Sequence, residues 1–205
     1  MKKLLSIVFL SVFFAGFAQA ADNLGYQEGT EYRKTDMPID IAPAKKSVIE
    51  IFGYHCPHCY HLEDSLEAWV KTKPADVNFE QVPAVFNSPN WIFMAKVFYT
   101  AKVLGVLEKS HRAYFDALHR DHKKLFDVDS IAKFFTQFGV KEQDFKDTFD
   151  SFKVEQYLRR AQDITARSGI DGVPAVVVNG KYRTDVGTAG SRDKLWTLVN
   201  HLTEQ

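Results

Sequence analysis

Cys56 and Cys59 are the only cysteines in the 205-residue chain, and Pro57 and His58 are all that separate them. A bridge closing so short a loop removes little chain entropy from the unfolded state. A structural staple joins distant segments, so this spacing suits a bond that is made and broken. The attacking species in such an exchange is the thiolate, not the thiol. Leu62, Leu66, Trp69 and Val70 follow at helical spacing, and Pro57 fits a first helical turn, where a missing N–H does no harm. Cys56 therefore falls at a helix N-terminus, where unpaired backbone N–H groups and the helix dipole favour negative charge. Cys56 is the expected attacked or attacking sulfur, and Cys59, one turn further in, the expected resolving thiol. A protonated His58 would add positive charge beside Cys56. A stabilised thiolate favours the reduced form and makes the disulfide a stronger oxidant. The other reading of His58 is a solvated histidine on a helix turn.

Zinc is the rival chemistry, because His55, His58 and His61 crowd the two cysteines and a Cys₂His₂ set binds zinc. The matching H-x₃₋₅-H pair is missing downstream: His119 and His122 are three apart and lie in a helical stretch. No metal site is expected. Covalent haem needs a histidine directly after the second cysteine, and position 60 is Tyr60. Glu50 lies inside an apolar strand-like run. Buried there, its pKa would rise, and it could accept and return the proton of Cys59. At a strand edge it would only reach water, and both readings are open. Glu63 is expected as a solvated charge near the start of the cysteine helix, favourable to the dipole. Val173-Pro174 precedes another strand. A proline there belongs at the strand's first position or on an edge, in a cis bond suited to a tight entry or in an ordinary trans one.

The elements that position these residues read as follows. Ser47 to Tyr54 is a buried strand. The cysteine helix ends before Pro74, and Val77 to Val82 alternates as a second strand. Ser88-Pro89 opens a helix that is apolar almost all round and closes at Gly105. Leu107 to Arg120 forms the next. Asp129 is the expected cap of a third, with Ile131, Phe134, Phe135 and Phe138 inward and Gly139 after its end. Phe145 and Phe149 continue the pattern, and Phe152, Val154, Tyr157, Leu158 and Ile164 mark a long helix stopping near Gly169. Ala175 to Val178 is a strand, Asn179-Gly180 a two-residue hairpin turn, and Lys181 to Thr184 the returning strand. Ser191 caps a last helix bearing Leu195, Leu198, Val199 and Leu202. The order is β-α-β, a helical block, then β-β-α, which makes a mixed sheet with helices on both faces.

Residues 1–20 are read separately. Lys2 and Lys3 precede an uncharged apolar run from Leu4 to Phe17, and Ala18-Gln19-Ala20 is a small-x-small site. This is the pattern of a cleaved secretory signal peptide, and the run is short for a spanning helix. Removing Lys2 and Lys3 from 26 basic residues leaves 24 against 26 acidic, a net charge of −2. That balance leaves no electrostatic footprint for nucleic acid. The remaining length suits one domain with an insertion, and export places the lone cysteine pair in an oxidising compartment.

Val48-Ile49-Glu50-Ile51-Phe52, Cys56-Pro57-His58-Cys59-Tyr60, and Gly172-Val173-Pro174-Ala175 leading into Val178-Asn179-Gly180-Lys181-Tyr182 stand in the order and at the distances found in one family. By these motifs the chain resembles the DsbA family of thioredoxin-fold disulfide oxidoreductases. The resemblance implies an α/β, thioredoxin-like fold with a mixed central sheet flanked by helices and an inserted all-helical domain. The domain bounds would be 21–87 and 169–205 for the thioredoxin-like parts and 88–168 for the insertion. It further implies that Pro174 is cis and faces Cys56, that the Val173 backbone pairs with an extended substrate peptide, that Glu50 is the buried acid of a proton path, and that Glu63 is an acid near the active site. Some members carry a lysine on the second strand near the buried acid; this chain has Gln81, so the details of the proton path do not carry over.

The expected function is that of a periplasmic thiol:disulfide oxidoreductase. It would donate the Cys56–Cys59 disulfide to unfolded, newly exported proteins held in an apolar groove near Cys56. A DsbB-like, quinone-linked inner-membrane oxidase would restore the disulfide. No cofactor is called for, since the cysteines carry the electrons, and a monomer is expected. Asp185 to Gly190, with two glycines, is a candidate wall of the groove. An exported reductase is the nearest alternative. An isomerase is disfavoured, because Ala21 to His55 is too short for a separate dimerisation domain. A peptide-binding chaperone with incidental cysteines is the alternative from another class.

Overall fold

The computed structural model describes residues 25–41 and 46–205. The signal-peptide reading of residues 1–20 lies outside them. Among the described residues, no helix is long and apolar enough to cross a membrane.

A five-stranded mixed sheet organises the molecule, in the order β1-β5-β4-β2-β3. Strands β2 (Lys46–Phe52) and β3 (Val77–Pro83) are parallel, joined by helix α1 (Pro57–Thr72). Strand β4 (Ala175–Val178) runs antiparallel to β2, and β5 (Tyr182–Thr184) antiparallel to β4. Asn179 and Gly180 both adopt positive φ, at 51° and 64°, which is what a two-residue hairpin turn following the sheet twist demands. The two-residue strand β1 (Arg33–Lys34) pairs with β5 at the edge; no apolar alternation announces it.

Between β3 and β4 the chain forms five α-helices: α2 (Pro89–Val103), α3 (Leu107–His119), α4 (Val128–Phe135), α5 (Glu142–Phe149) and α6 (Phe152–Ser168). A one-turn helix α7 (Val186–Ala189) and the closing helix α8 (Arg192–Thr203) follow β5. Two apolar cores lie on opposite faces of the sheet. Val48, Val176 and Val178 pack with Leu62, Leu66 and Trp69 of α1 and Leu195, Leu198 and Leu202 of α8. Ile49, Ile51, Val82 and Val177 pack with Val97 and Phe98 of α2, Phe115 of α3 and Ala161 and Ile164 of α6. The alternation within β2 follows from the period of two, which sends neighbouring side chains to opposite faces. Cys59 belongs to the second core although Leu62 belongs to the first, so α1 straddles both.

Three local expectations change. Asp127, not Asp129, caps α4: its backbone is extended and its Oδ1 accepts the Ser130 N–H at 2.7 Å. Asp129 sits inside the first turn and pairs with Lys146 at 2.6 Å. Phe152, counted among the apolar residues that mark α6, is 70% exposed, because it is the first residue of the helix and precedes the stripe formed by Val154, Leu158 and Ala161. Strand β2 stops at Phe52, where Gly53 turns the chain and its carbonyl accepts the Cys56 N–H at 3.0 Å.

Candidate active site

The loop after β2 delivers Cys56 to the N-cap of α1. Cys56 is extended, and its Sγ accepts the backbone N–H of Cys59 at 3.4 Å, with Pro57 opening the helix. This is the capping role that serine or aspartate usually fills, taken here by sulfur. Both cysteines are free thiols, Cys56 half-buried and Cys59 wholly buried. Cys59 Sγ accepts the Gly53 N–H at 3.4 Å. On the other side, the Cys56 thiol donates to the Val173 carbonyl at 3.4 Å. The Val173-Pro174 bond is cis, and Pro174 stands directly before β4.

The two sulfurs are electrically unlike. The Cys56 thiol is lowered to about 6, first by the Cys59 thiol hydrogen bond and then by the N–H groups of Cys59 and His58, against the opposing effect of burial. The His58 charge contributes least. So the helix-terminus argument carries more weight than the imidazole that the sequence puts forward. Burial pushes the Cys59 thiol far up, reinforced by Cys56. One sulfur is a thiolate at neutral pH and the other stays protonated, which is the asymmetry that directed exchange needs.

Glu50 is fully buried at the middle of the sheet, between Gln81 of β3 and Val176 of β4. Desolvation raises its pKa to about 8, helped by the charge of Glu63, while the Gln81 hydrogen bond opposes. The strand-edge reading of Glu50 therefore fails. Glu63, expected in solvent, is only 2% exposed. It lies four residues after Cys59 on α1, hence on the same helix face, and that face turns toward the sheet. Gln81 Nε2 reaches both acids, at 2.9 Å to Glu50 Oε2 and 3.3 Å to Glu63 Oε1.

Two members of this cluster escaped the sequence reading. His111 of α3 places Nε2 at 3.4 Å from Glu63 Oε2 and 3.2 Å from Gln81 Nε2. Its Nδ1 lies 2.8 Å from the hydroxyl of Tyr54, itself wholly buried. The signal was present: His111 falls on the apolar stripe of Leu107, Tyr114, Phe115 and Leu118, where a polar side chain calls for a buried partner. Helix α3 is held against α1 by Tyr60, whose hydroxyl donates to Asp116 Oδ1 at 2.8 Å, and by Arg112, which donates to Asp64 Oδ1 at 2.6 Å. The other histidines have separate settings. His55 packs its ring edge-on to Trp91 at 4.1 Å. His119 lies 2.7 Å from the Tyr54 carbonyl and stacks on Tyr60. Among the described residues, no three Cys, His, Asp or Glu side chains gather as a metal-holding group.

A cleft of about 790 Å³ opens beside Val173, bordered by His58, His61, Leu62, Pro174 and the Asp185–Thr188 segment. Its walls mix apolar and charged side chains. Arg33, Arg183, Arg192, Asp171 and Asp185 line it with Ile170 and Val186. Arg33 lies on the exposed edge strand β1 and Arg183 on β5 beside it.

The DSBA-like thioredoxin domain model matches residues 47–202. The thiol:disulfide interchange protein DsbA of Pseudomonas syringae pv. tomato is 37% identical over 193 residues, 94% of this chain and 89% of that one. A crystal structure of Pseudomonas aeruginosa DsbA superposes with a TM-score of 0.82 at 36% identity, covering 89% of this chain and 95% of the other. A Proteus DsbA crystallised with a non-covalently bound peptide gives a TM-score of 0.72 at 25% identity, covering 88% and 99%. The matched region spans β2, the Cys56–Cys59 helix, the helical block and the Val173-Pro174 entry to β4, and on that evidence the chain belongs to the DSBA-like thioredoxin domain family.

Proposed function

We propose that this protein is a periplasmic thiol:disulfide oxidoreductase that passes the Cys56–Cys59 disulfide to newly exported proteins. The observation that carries the reading is the Cys56 sulfur at the N-cap of α1, lowered to about 6 and backed by a buried, protonated Cys59. A substrate thiolate attacks Cys56 Sγ, the Cys56–Cys59 bond breaks, and Cys59 leaves as a thiolate. Glu50, the acid nearest this event in the sheet, returns a proton to it. A second substrate thiolate attacks its own sulfur in the mixed disulfide, the substrate disulfide forms, and Cys56 leaves as a stabilised thiolate. Two electrons pass to the protein, and the stability of the departing thiolate drives the transfer.

Pro57 fixes the first turn that aims the N–H groups at Cys56, and His58 adds a smaller electrostatic contribution. Val173 and Pro174 form the backbone edge against which an extended substrate segment pairs; that the Proteus relative holds a non-covalently bound peptide fits a peptide-binding role. The cysteines carry the electrons, so no metal, nucleotide or flavin takes part. A DsbB-like, quinone-linked membrane oxidase reoxidises the pair. The protein works as a monomer, with residues 21–87 and 169–205 as the thioredoxin-like part and 88–168 as the insertion. Residues 1–20 direct export and are cleaved.

The test is the equilibrium of Cys56–Cys59 against a graded glutathione buffer. An oxidising potential is expected, each ~30 mV being about tenfold in the equilibrium constant. A strongly reducing potential would make the protein an exported reductase instead. Peptide binding unchanged by replacing both cysteines, with no thiol exchange, would make it a chaperone.

A further inference from the structure

Behind Cys59 the fold buries two carboxylates and one imidazole, more titratable groups than the exchange itself employs. Gln81 Nε2 lies 2.9 Å from Glu50 Oε2, 3.3 Å from Glu63 Oε1 and 3.2 Å from His111 Nε2. An amide nitrogen has two protons, so one of these three contacts is not a bond it donates.

Tyr54 decides which. Its hydroxyl lies 2.8 Å from His111 Nδ1. Among the described residues Nδ1 is the one hydrogen-bond partner of this hydroxyl, so its proton goes there and the imidazole carries its own on Nε2. An Nε2–H facing the Gln81 N–H would set donor against donor, so it turns to Glu63 Oε2 at 3.4 Å. Gln81 then gives one proton to each acid, and both of its protons and the imidazole Nε2–H have acceptors. The result is unequal for the two acids. Glu63 has both oxygens met by donors. Glu50 has one, and its Oε1 has no partner. An ionised carboxylate calls for donors on both oxygens, whereas a protonated one carries its own hydrogen on one oxygen and calls for a donor only on the other. Two adjacent buried carboxylates cannot both ionise cheaply.

We propose that His111 is a positioning residue: by donating to Glu63 it holds the negative charge there and so keeps the shared proton on Glu50, the acid of the strand that leads into the cysteine loop. The titratable groups facing its ring are Glu63 from α1, Glu50 of β2 beyond Gln81, and Tyr54. Phe52 of β2, Phe98 of α2 and Phe115 of its own helix complete the surround and carry no charge. The inference rests on the proposed exchange only in giving that proton a destination, the Cys59 thiolate. No oxidant or reductant beyond the disulfide enters.

The test is a carbon-13 NMR titration of the full chain in its disulfide form with labelled glutamate carboxyls, assigned through Glu50→Gln and Glu63→Gln. It needs no turnover, so it stands apart from the redox equilibrium that tests the function. In the unaltered protein the Glu63 carbon should report carboxylate at a pH where the Glu50 carbon still reports acid. His111→Asn shortens the reach and withdraws the donor from Glu63. The share of the proton on Glu50 should then fall, because Glu63 loses the donor that holds its charge. His111→Gln extends an amide N–H toward the Nε2 position and should restore the unequal distribution, which a merely structural role would not do. The proposal is overturned if Glu63 holds the proton in the unaltered protein, or if the Asn and Gln variants titrate alike.

Discussion

Cys56 Sγ and the carbonyl oxygen of Val173 lie 3.4 Å apart, across a sequence separation of 117 residues. The contact sets the Cys56 sulfur beside the backbone that precedes β4, so under the proposed function a chain joined to Cys56 would run alongside Val173. Cys59 has no such access, being wholly buried.

Access of this kind fixes the outcome of single-cysteine variants. Cys59→Ser should accumulate mixed disulfides with a protein whose cysteine carries an activated disulfide, because the Cys56 thiolate attacks that disulfide, its other sulfur leaves as a thiolate, and no Cys59 remains to resolve the product. Cys56→Ser should accumulate none and lose exchange. Non-reducing electrophoresis with mass spectrometry of the adducts reads both. Adducts on Cys59 in the Cys56 variant would show that the assigned roles are reversed.

A second expectation concerns what makes Cys56 acidic. Its thiol is lowered to about 6 chiefly by the Cys59 thiol, then by backbone N–H groups, with the His58 charge last. Ultraviolet absorbance of the thiolate, followed against pH, should give a midpoint near pH 6. His58→Ala should raise it by less than about one unit, a single weak charge–charge effect. Cys59→Ala should raise it further. A larger rise in the His58 variant would return the imidazole to first place.

The same shift makes folding stability depend on redox state. Cys56 is depressed from 9.0 to about 6, so the folded dithiol form gains stability that is fully present above pH 9 and gone once the pH falls below 6. The disulfide form has no thiolate to stabilise. The difference in denaturation midpoint, dithiol minus disulfide, should therefore shrink steadily from pH 9 to pH 6. A difference that grows on acidification would contradict the depressed thiol.

The extent to which the sequence discloses this site follows from range. Cys56, Pro57 and Cys59 declare themselves because their roles depend on a helix terminus four residues long. The β-α-β and β-β-α ends are legible for a similar reason, since periodicity and the Asn179-Gly180 turn are local. Glu63 was misplaced because its burial depends on which face of α1 meets β3, and that is a tertiary fact. His111 and Tyr54 join the cluster only through the packing of α3 on α1 by Tyr60–Asp116 and Arg112–Asp64. The cleft's charged walls come from β1, β5, α8 and the segments holding Asp171 and Asp185, brought together by the fold rather than by any run of residues.

Gly53 illustrates a constraint with no motif at all. A Cβ there would sit 2.6 Å from the Trp91 ring, which is already packed against His55 and Phe86. Gly53→Ala should displace Trp91 and cost about 1–3 kcal/mol, as overpacking does. Because the Gly53 N–H also donates to Cys59 Sγ at 3.4 Å, the cysteine loop should shift with it. Denaturant unfolding and tryptophan fluorescence check both; unchanged spectra with unchanged stability would mean that Trp91 yields freely.

Glu50 offers the clearest sign. Burial raises its pKa from 4.5 to about 8, so the folded protein holds this proton more tightly than the unfolded chain. The associated stability is fully present below pH 4.5 and lost as the pH rises through 8. Glutamine has nearly the shape of the protonated acid and never ionises. Compared in the disulfide form, where Cys56 has no thiolate, Glu50→Gln should match the unaltered protein near pH 4. It should exceed it by on the order of 5 kcal/mol at pH 9. The gain comes with a loss, because the amide cannot return a proton to Cys59 when that sulfur leaves. Exchange at neutral pH should slow in the same variant that is harder to unfold in alkali. Equal stability of the two proteins at pH 9 would mean that Glu50 ionises without penalty, and its place beside the departing thiolate would then need another explanation.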